Sequence, residues 1–219
     1  MKFIKKHFKY CVSNLLSLFV VASMSGVHAQ KPLKLIRTRI HPNISIVIPE
    51  GFSRMEEAAV KGTFLSYRAP IAAYQYGTSP IYITINDSES RMFFDASQMD
   101  IIQKIYKSNI QNMYQETNFL REDTVSICGR KAIQFEFIGR FVREDDISSF
   151  EKEKIVYNYI NYVKFGSRLF IFGFSCPASQ QEKWQPVAQN FMNNILIQES
   201  KKRKKKKNTS NSTPEMSKQ

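Results

Sequence analysis

Within "NISIVIPEGF", Ile44, Ile46 and Ile48 alternate with Ser45 and Val47 before Pro49-Glu50-Gly51 supplies a turn, which predicts a first strand there. Short strands are predicted near residues 63–68 and over 81–86, where Ile81, Ile83 and Ile85 share one face. The period then changes. Met99, Ile102, Ile105, Tyr106, Ile110, Met113 and Tyr114 recur at three-to-four spacing, a helical stripe expected to face the core. Ser97 is the expected N-cap of that helix, with Asp100 three residues on completing a capping box.

Four long strands are predicted next, at about residues 121–128, 130–141, 152–164 and 168–176, with no helix between them. Gly129 and Gly166-Ser167 leave room only for tight turns, so neighbours must run antiparallel, as a meander. In the second of these strands Ile133, Phe135 and Phe137 face one way and Gln134 and Glu136 the other, the pattern of a sheet with one wet side. "RLFIFGFSC" is apolar on both faces and belongs at the sheet centre or under another layer. A closing helix is expected to be capped by Ser179 with Glu182, and to bury Trp184, Val187, Ala188, Phe191 and Ile195. Pro186 predicts a kink or a restart in it. Both helices must cover the sheet.

The order of these elements resembles the PsbP-like family, whose fold is shared with a small nuclear import factor and several bacterial domains. The matching phrases are "ISIVIPEGF", "SICGRKAIQFEF", "YVKFGSRLFIFGFSC" and "WQPVAQNFMNNILI", spread over residues 40–197. The resemblance implies an α+β fold, an α/β/α sandwich around a curved antiparallel sheet, used by relatives as a docking module on larger assemblies. Its motifs are structural, so it implies no catalytic residue.

The two ends of the chain change the picture of its charge. Residues 1–29 read as a signal peptide: Lys2, Lys5, Lys6 and Lys9, an apolar run from Leu15 to Met24, then Val27-His28-Ala29 as a small-x-small cleavage site. The run of about ten residues falls short of the roughly twenty that a spanning helix needs. Cys11 precedes the run and so does not mark a lipoprotein. The formal charge of +13 is shared unevenly, since residues 1–29 hold +4 and 201–219 hold +7, leaving the expected domain, 30–200, near +2.

Residues 201–219 form a polybasic tail with almost nothing apolar, expected to be disordered. Lys201, Lys202, Arg203, Lys204, Lys205, Lys206 and Lys207 are the candidate contacts for a polyanion such as an anionic membrane surface. An exported chain seldom meets DNA, so no nucleic acid is expected. Asn208 and Asn211 match the glycosylation pattern, weakly.

Candidate chemistry is sparse. His41 is the only histidine outside the signal, which removes multi-histidine metal sites and any triad that does not use it, and it is read as a surface residue. Glu144, Asp145 and Asp146 are adjacent but lack the spacing of a calcium loop; Asp87, Glu89 and Asp95 are scattered. Tyr74, Tyr76, Tyr157, Tyr159 and Tyr162 can line a cleft, but tyrosines on antiparallel strands more often pack a core. Cys128 and Cys176 end strands that run in opposite directions, too far apart for the roughly 7 Å a bridge requires, so no disulfide between them is expected.

These features favour a soluble, exported, non-enzymatic module that needs no cofactor and docks on another envelope protein or complex. The alternative is a peripheral binder of anionic lipid or envelope polymer through the tail. An enzyme using carboxylates is the third reading.

Overall fold

The alternating isoleucines at 44, 46 and 48 form a buried strand, and the change of period after residue 97 marks a helix, as predicted. The computed structural model describes residues 34–64, 69–90, 97–142 and 153–198. The expected signal peptide, the acidic trio at 144–146, Asp95 and the expected tail lie outside the described residues, as do residues 65–68 of the strand predicted over 63–68. At 63, where that strand was expected to begin, the chain is instead finishing a helix.

In chain order the elements are β1 (Leu35–His41), β2 (Ile44–Pro49), β3 (Phe52–Arg54), α1 (Glu57–Thr63), β4 (Ala72–Tyr76) and β5 (Tyr82–Glu89). Then come α2 (Met99–Met113), β6 (Glu116–Ile127), β7 (Arg130–Val142), β8 (Glu153–Phe165), β9 (Arg168–Pro177), α3 (Gln181–Asn193) and β10 (Leu196–Ile197). Seven strands form one antiparallel sheet in the order β3-β4-β5-β9-β8-β7-β6, whose last four are the expected meander. The two-sided apolar strand, β9, sits at its centre. A second sheet, β1-β2-β10, joins the start of the described chain to its end.

Two apolar clusters sandwich the large sheet. On one face α2 lays Met99, Ile102, Tyr106 and Ile110 over Ile133, Phe135, Phe137 and Tyr162. Tyr106 stacks on Tyr162 with ring centroids 4.2 Å apart. On the other, α3 and the small sheet close over β5, β8 and β9, with Trp184 packed between Phe52, Tyr76 and Phe174. The result is an α+β fold, an α/β/α sandwich around an antiparallel sheet.

Several local expectations fail for identifiable reasons. Helix α2 starts at Met99 behind Gln98, without a side-chain cap bond, so Ser97 lies one residue outside the cap position. Ser179 sits in a single 3-10 turn, Ala178–Gln180, that leads into α3, and Gln180 occupies the cap position there, again without a side-chain cap bond. Pro186 does not restart α3, whose assignment runs unbroken across it; the proline is exposed, so the carbonyl it leaves unbonded one turn back can turn to water. Ile105 and Met113 belong to the predicted stripe but are 41% and 61% exposed; the residues of α2 that are buried are Met99, Ile102, Tyr106 and Ile110.

Two hairpin turns depend on backbone with positive φ. Cys128 (φ 50) and Gly129 (φ 76) make the two-residue turn between β6 and β7, a conformation in which a non-glycine residue is uncommon. Cys128 is held there because its Sγ lies 3.4 Å from the carbonyl oxygen of Ile195 and accepts from the amide of Ile197 at 3.3 Å. Both described cysteines are free thiols. Pairing registers place Cys176 opposite Tyr157, hence level with Ile138 and Asn118, a full strand's length from Cys128.

Candidate functional site

Gln134 and Glu136 alternate with apolar neighbours on β7 and so point to the face opposite α2. That face is not wet. Helix α3 covers it, leaving Gln134 5% and Glu136 1% exposed, and the expectation of one solvated side is corrected on this point. The registers bring Tyr159 of β8 beside Glu136 and Asn161 beside Gln134, with Arg121 and Asp123 of β6 on the other flank. A polar patch is thereby assembled from three adjacent strands and closed by a helix.

The carboxylate of Glu136 is fully engaged. Tyr157 donates to its Oε1 at 2.8 Å, Gln185 of α3 donates to the same oxygen, and the Nε of Arg121 stands 3.9 Å from Oε2. Burial, then the bond to Glu136, pushes the Tyr157 phenol far above its ordinary range, so it stays a donor. Burial also raises Tyr159, against the pull of Arg121, to which it is hydrogen-bonded. Arg121 also lies 3.7 Å from Asp123. Buried charge is tolerated here because each formal charge has an opposite partner or donors around it.

Beside this cluster lies a cavity of about 460 Å³, walled on the sheet side by Arg121, Asp123, Gln134, Tyr159 and Asn161. Gln189, Met192, Asn193 and Ile195 close it from α3 and the segment that follows. Gln134 donates its amide to Asn161 Oδ1 at 3.0 Å, whereas Asn161 Nδ2 has no hydrogen-bond partner.

Of the residues singled out from sequence, the structure gathers few. Tyr157 and Tyr159 join the polar cluster; Tyr162 is wholly in the opposite core, and Tyr74 and Tyr76 pack in the α3-side core. His41 is half-buried: it ends β1, its Nδ1 accepts from the amide of Asn43 at 3.3 Å, and its ring stands 5.7 Å from Phe170. Asp87 of β5 is paired with Arg168 of β9, three strands across the sheet from β7. Among the described residues no group of three or more His, Cys, Asp or Glu is placed to hold a metal ion. The tail candidates, Lys201 to Lys207, lie outside the described residues.

Glu136, Gln134 and Asn161 were not candidates from sequence. The signal was nonetheless there: alternate polar residues, two of them on neighbouring strands, opposite runs of phenylalanine.

Fold and site together define a mixed sandwich with a polar pocket set into one face of its sheet. Solved structures that share the sandwich fold include these two. One is cyanobacterial PsbP (CyanoP) from Synechocystis sp. PCC 6803, with 9% identity, TM-score 0.54, and coverage of 80% of this chain and 98% of that one. The other is LpqN, involved in cell envelope biogenesis of Mycobacterium tuberculosis, with 12% identity, TM-score 0.52, and coverage of 77% and 93%. At such identities the likeness speaks for the PsbP-like fold alone. No family model matches the sequence, and no curated protein does. Among the described residues no helix is long and apolar enough to cross a membrane.

Proposed function

We propose that the chain is an exported, non-enzymatic binding module whose folded part docks on another protein or complex of the cell envelope. The observation that carries this reading is the outer face of α2. Ile101 and Ile105 stand one turn apart, 61% and 41% exposed, with Met113 two turns further on at 61%. The opposite face of the same helix already fills the core. Exposed isoleucines one turn apart on a packed helix, followed by Asn109, Asn112 and Met113, make the mixed kind of surface that a protein partner covers.

Three further features agree with it. The first 29 residues have the charge, apolar run and cleavage pattern of an export signal. LpqN, a protein of the same fold, takes part in envelope biogenesis. Glu136, the one buried carboxylate among the described residues, spends its oxygens on Tyr157, Gln185 and Arg121, an arrangement suited to holding shape.

The test is crosslinking of the full chain in envelope fractions, followed by reconstitution with the purified partner. The double variant Ile101→Glu, Ile105→Glu should weaken the reconstituted complex more than about tenfold, and deletion of residues 201–219 should leave it intact. Retention of full affinity by the double variant defeats the reading. If deletion of the tail alone abolishes salt-sensitive sedimentation with anionic vesicles, and no protein complex can be reconstituted, the peripheral reading through Lys201 to Lys207 takes its place.

A further inference from the structure

The cavity beneath α3 has a lining that docking on α2 does not use. Its chemistry is largely polar and uncharged: four carboxamides, those of the buried Gln134 and Asn161, the half-buried Gln189 and the exposed Asn193, line one hollow that opens to the surface. A carboxamide both donates and accepts and carries no charge. One of the four is incomplete. Asn161 is 1% exposed, its Oδ1 is taken by Gln134, and its Nδ2, shut off from water behind the wall of the hollow, has no partner. A buried donor left unmade costs about 1–3 kcal/mol.

We infer that this cavity binds a neutral, polyhydroxylated ligand: a sugar of about one or two rings, a size suited to a pocket of several hundred Å³.

Charge decides against an anion. The cation lining the wall, Arg121, already faces Asp123 at 3.7 Å and Glu136 at 3.9 Å, so the local balance is not positive and a phosphate or carboxylate would enter beside two carboxylates. It decides against a cation almost as firmly, since Glu136 is enclosed by its donors and Asp123 shares Arg121. What remains is an uncharged molecule dense in groups that donate and accept, which is the description of a sugar hydroxyl. The rest of the wall fits the other side of such a molecule. Val125, Ile127, Met192 and Ile195 give apolar wall for ring C–H groups, and the buried Tyr159, hydrogen-bonded to Arg121, lines the hollow beside them.

The inference is independent of the docking surface, because no residue of α2 borders the cavity.

It is tested by recording amide and side-chain carboxamide NMR spectra of the full chain during titration with maltose and with diacetylchitobiose. Glucuronate and trialanine serve as anionic and peptide comparators. The expected result is saturable movement of the Asn161, Gln134 and Gln189 carboxamide signals by at least one neutral disaccharide below about 10 mM, a weak but specific affinity. Asn161→Leu should weaken that binding at least about tenfold. Because Asn161→Leu strands the amide of Gln134, Gln189→Leu on α3 is the second variant, expected to weaken binding while the Trp184 fluorescence of the folded state is unchanged. The inference is overturned if neither disaccharide moves these signals, if both variants bind as the parent does, or if glucuronate or trialanine saturates the cavity where the disaccharides do not.

Discussion

Phe135 and Glu136 are consecutive on β7, equally hidden from water, and serve opposite kinds of interior. The Phe135 side packs α2 against a continuous apolar layer: Met99, Ile102 and Ile110 above, Ile133 and Phe137 beside it. The Glu136 side is divided. Toward β5 and β9 it is aromatic, around Trp184 and Phe174; toward β6 and β7 it is a hydrogen-bonded patch beside a hollow. Close packing of hydrocarbon needs no orientation, whereas the polar half is stable only while each donor finds its acceptor. A fold that keeps one face plain and the other half polar is placing its special requirements where they can act on something.

The comparison can be broken most directly at the plain face. Phe135→Ala should cost about 3–5 kcal/mol of stability, from lost transfer energy and the cavity left behind, measured as a fall in the urea midpoint. Gly139→Ala comes next. A Cβ there would stand 2.5 Å from the Tyr114 ring, which closes the end of the same layer against Phe137, so about 1–3 kcal/mol should be lost to overpacking.

A third experiment reads the α3 face by pH. Burial pushes the Cys176 thiol up to about 12 from 9.0, and likewise raises the phenol of Tyr157 on the same face and that of Tyr162 on the α2 face. A raised pKa in the fold means that the unfolded chain releases its proton first. The stability from Cys176 is therefore complete below about pH 9 and is lost as pH climbs toward 12, by up to about 1.4 kcal/mol per pH unit, with the tyrosines joining from about pH 10. Cys176→Ala should flatten that slope between pH 9 and 10, whatever it does to stability at neutral pH.

The smallest effect is expected at Glu136 itself. Glu136→Gln keeps an acceptor for Tyr157 and gives up only the charge facing Arg121, so the loss should stay below about 1 kcal/mol. A loss as large as that of Phe135→Ala would mean that the two faces are held together in the same way.

The meander was legible because β6 to β9 each carry their own signal: long alternating runs joined by Gly129 and Gly166. What the chain could not show locally was which face would be roofed. Gln134 and Glu136 look like solvent positions until α3 arrives from residues 181–193, and that decision is tertiary. The ends of α2 were misjudged for a related reason. Ser97 has the right chemistry for a cap, but the first turn begins one residue later, and the stripe at Ile105 and Met113 continues past the width of the sheet. β1 and β4 passed unnoticed because one is largely exposed and the other opens on two small alanines, so neither alternates strongly. Of the strand expected over 63–68, residue 63 closes α1 and 65–68 lie outside the described residues.

The last strand to be described, β10, pairs Leu196 with Ser45, and α3 immediately before it roofs both the aromatic and the polar halves of one face. A nascent chain paused on the ribosome before residue 181 would hold nine of the ten described strands while the α3 part of that roof is still missing. Contacts this distant along the polypeptide delay the committed step of assembly. The described fold thus completes itself only once α3 and β10 have been synthesised.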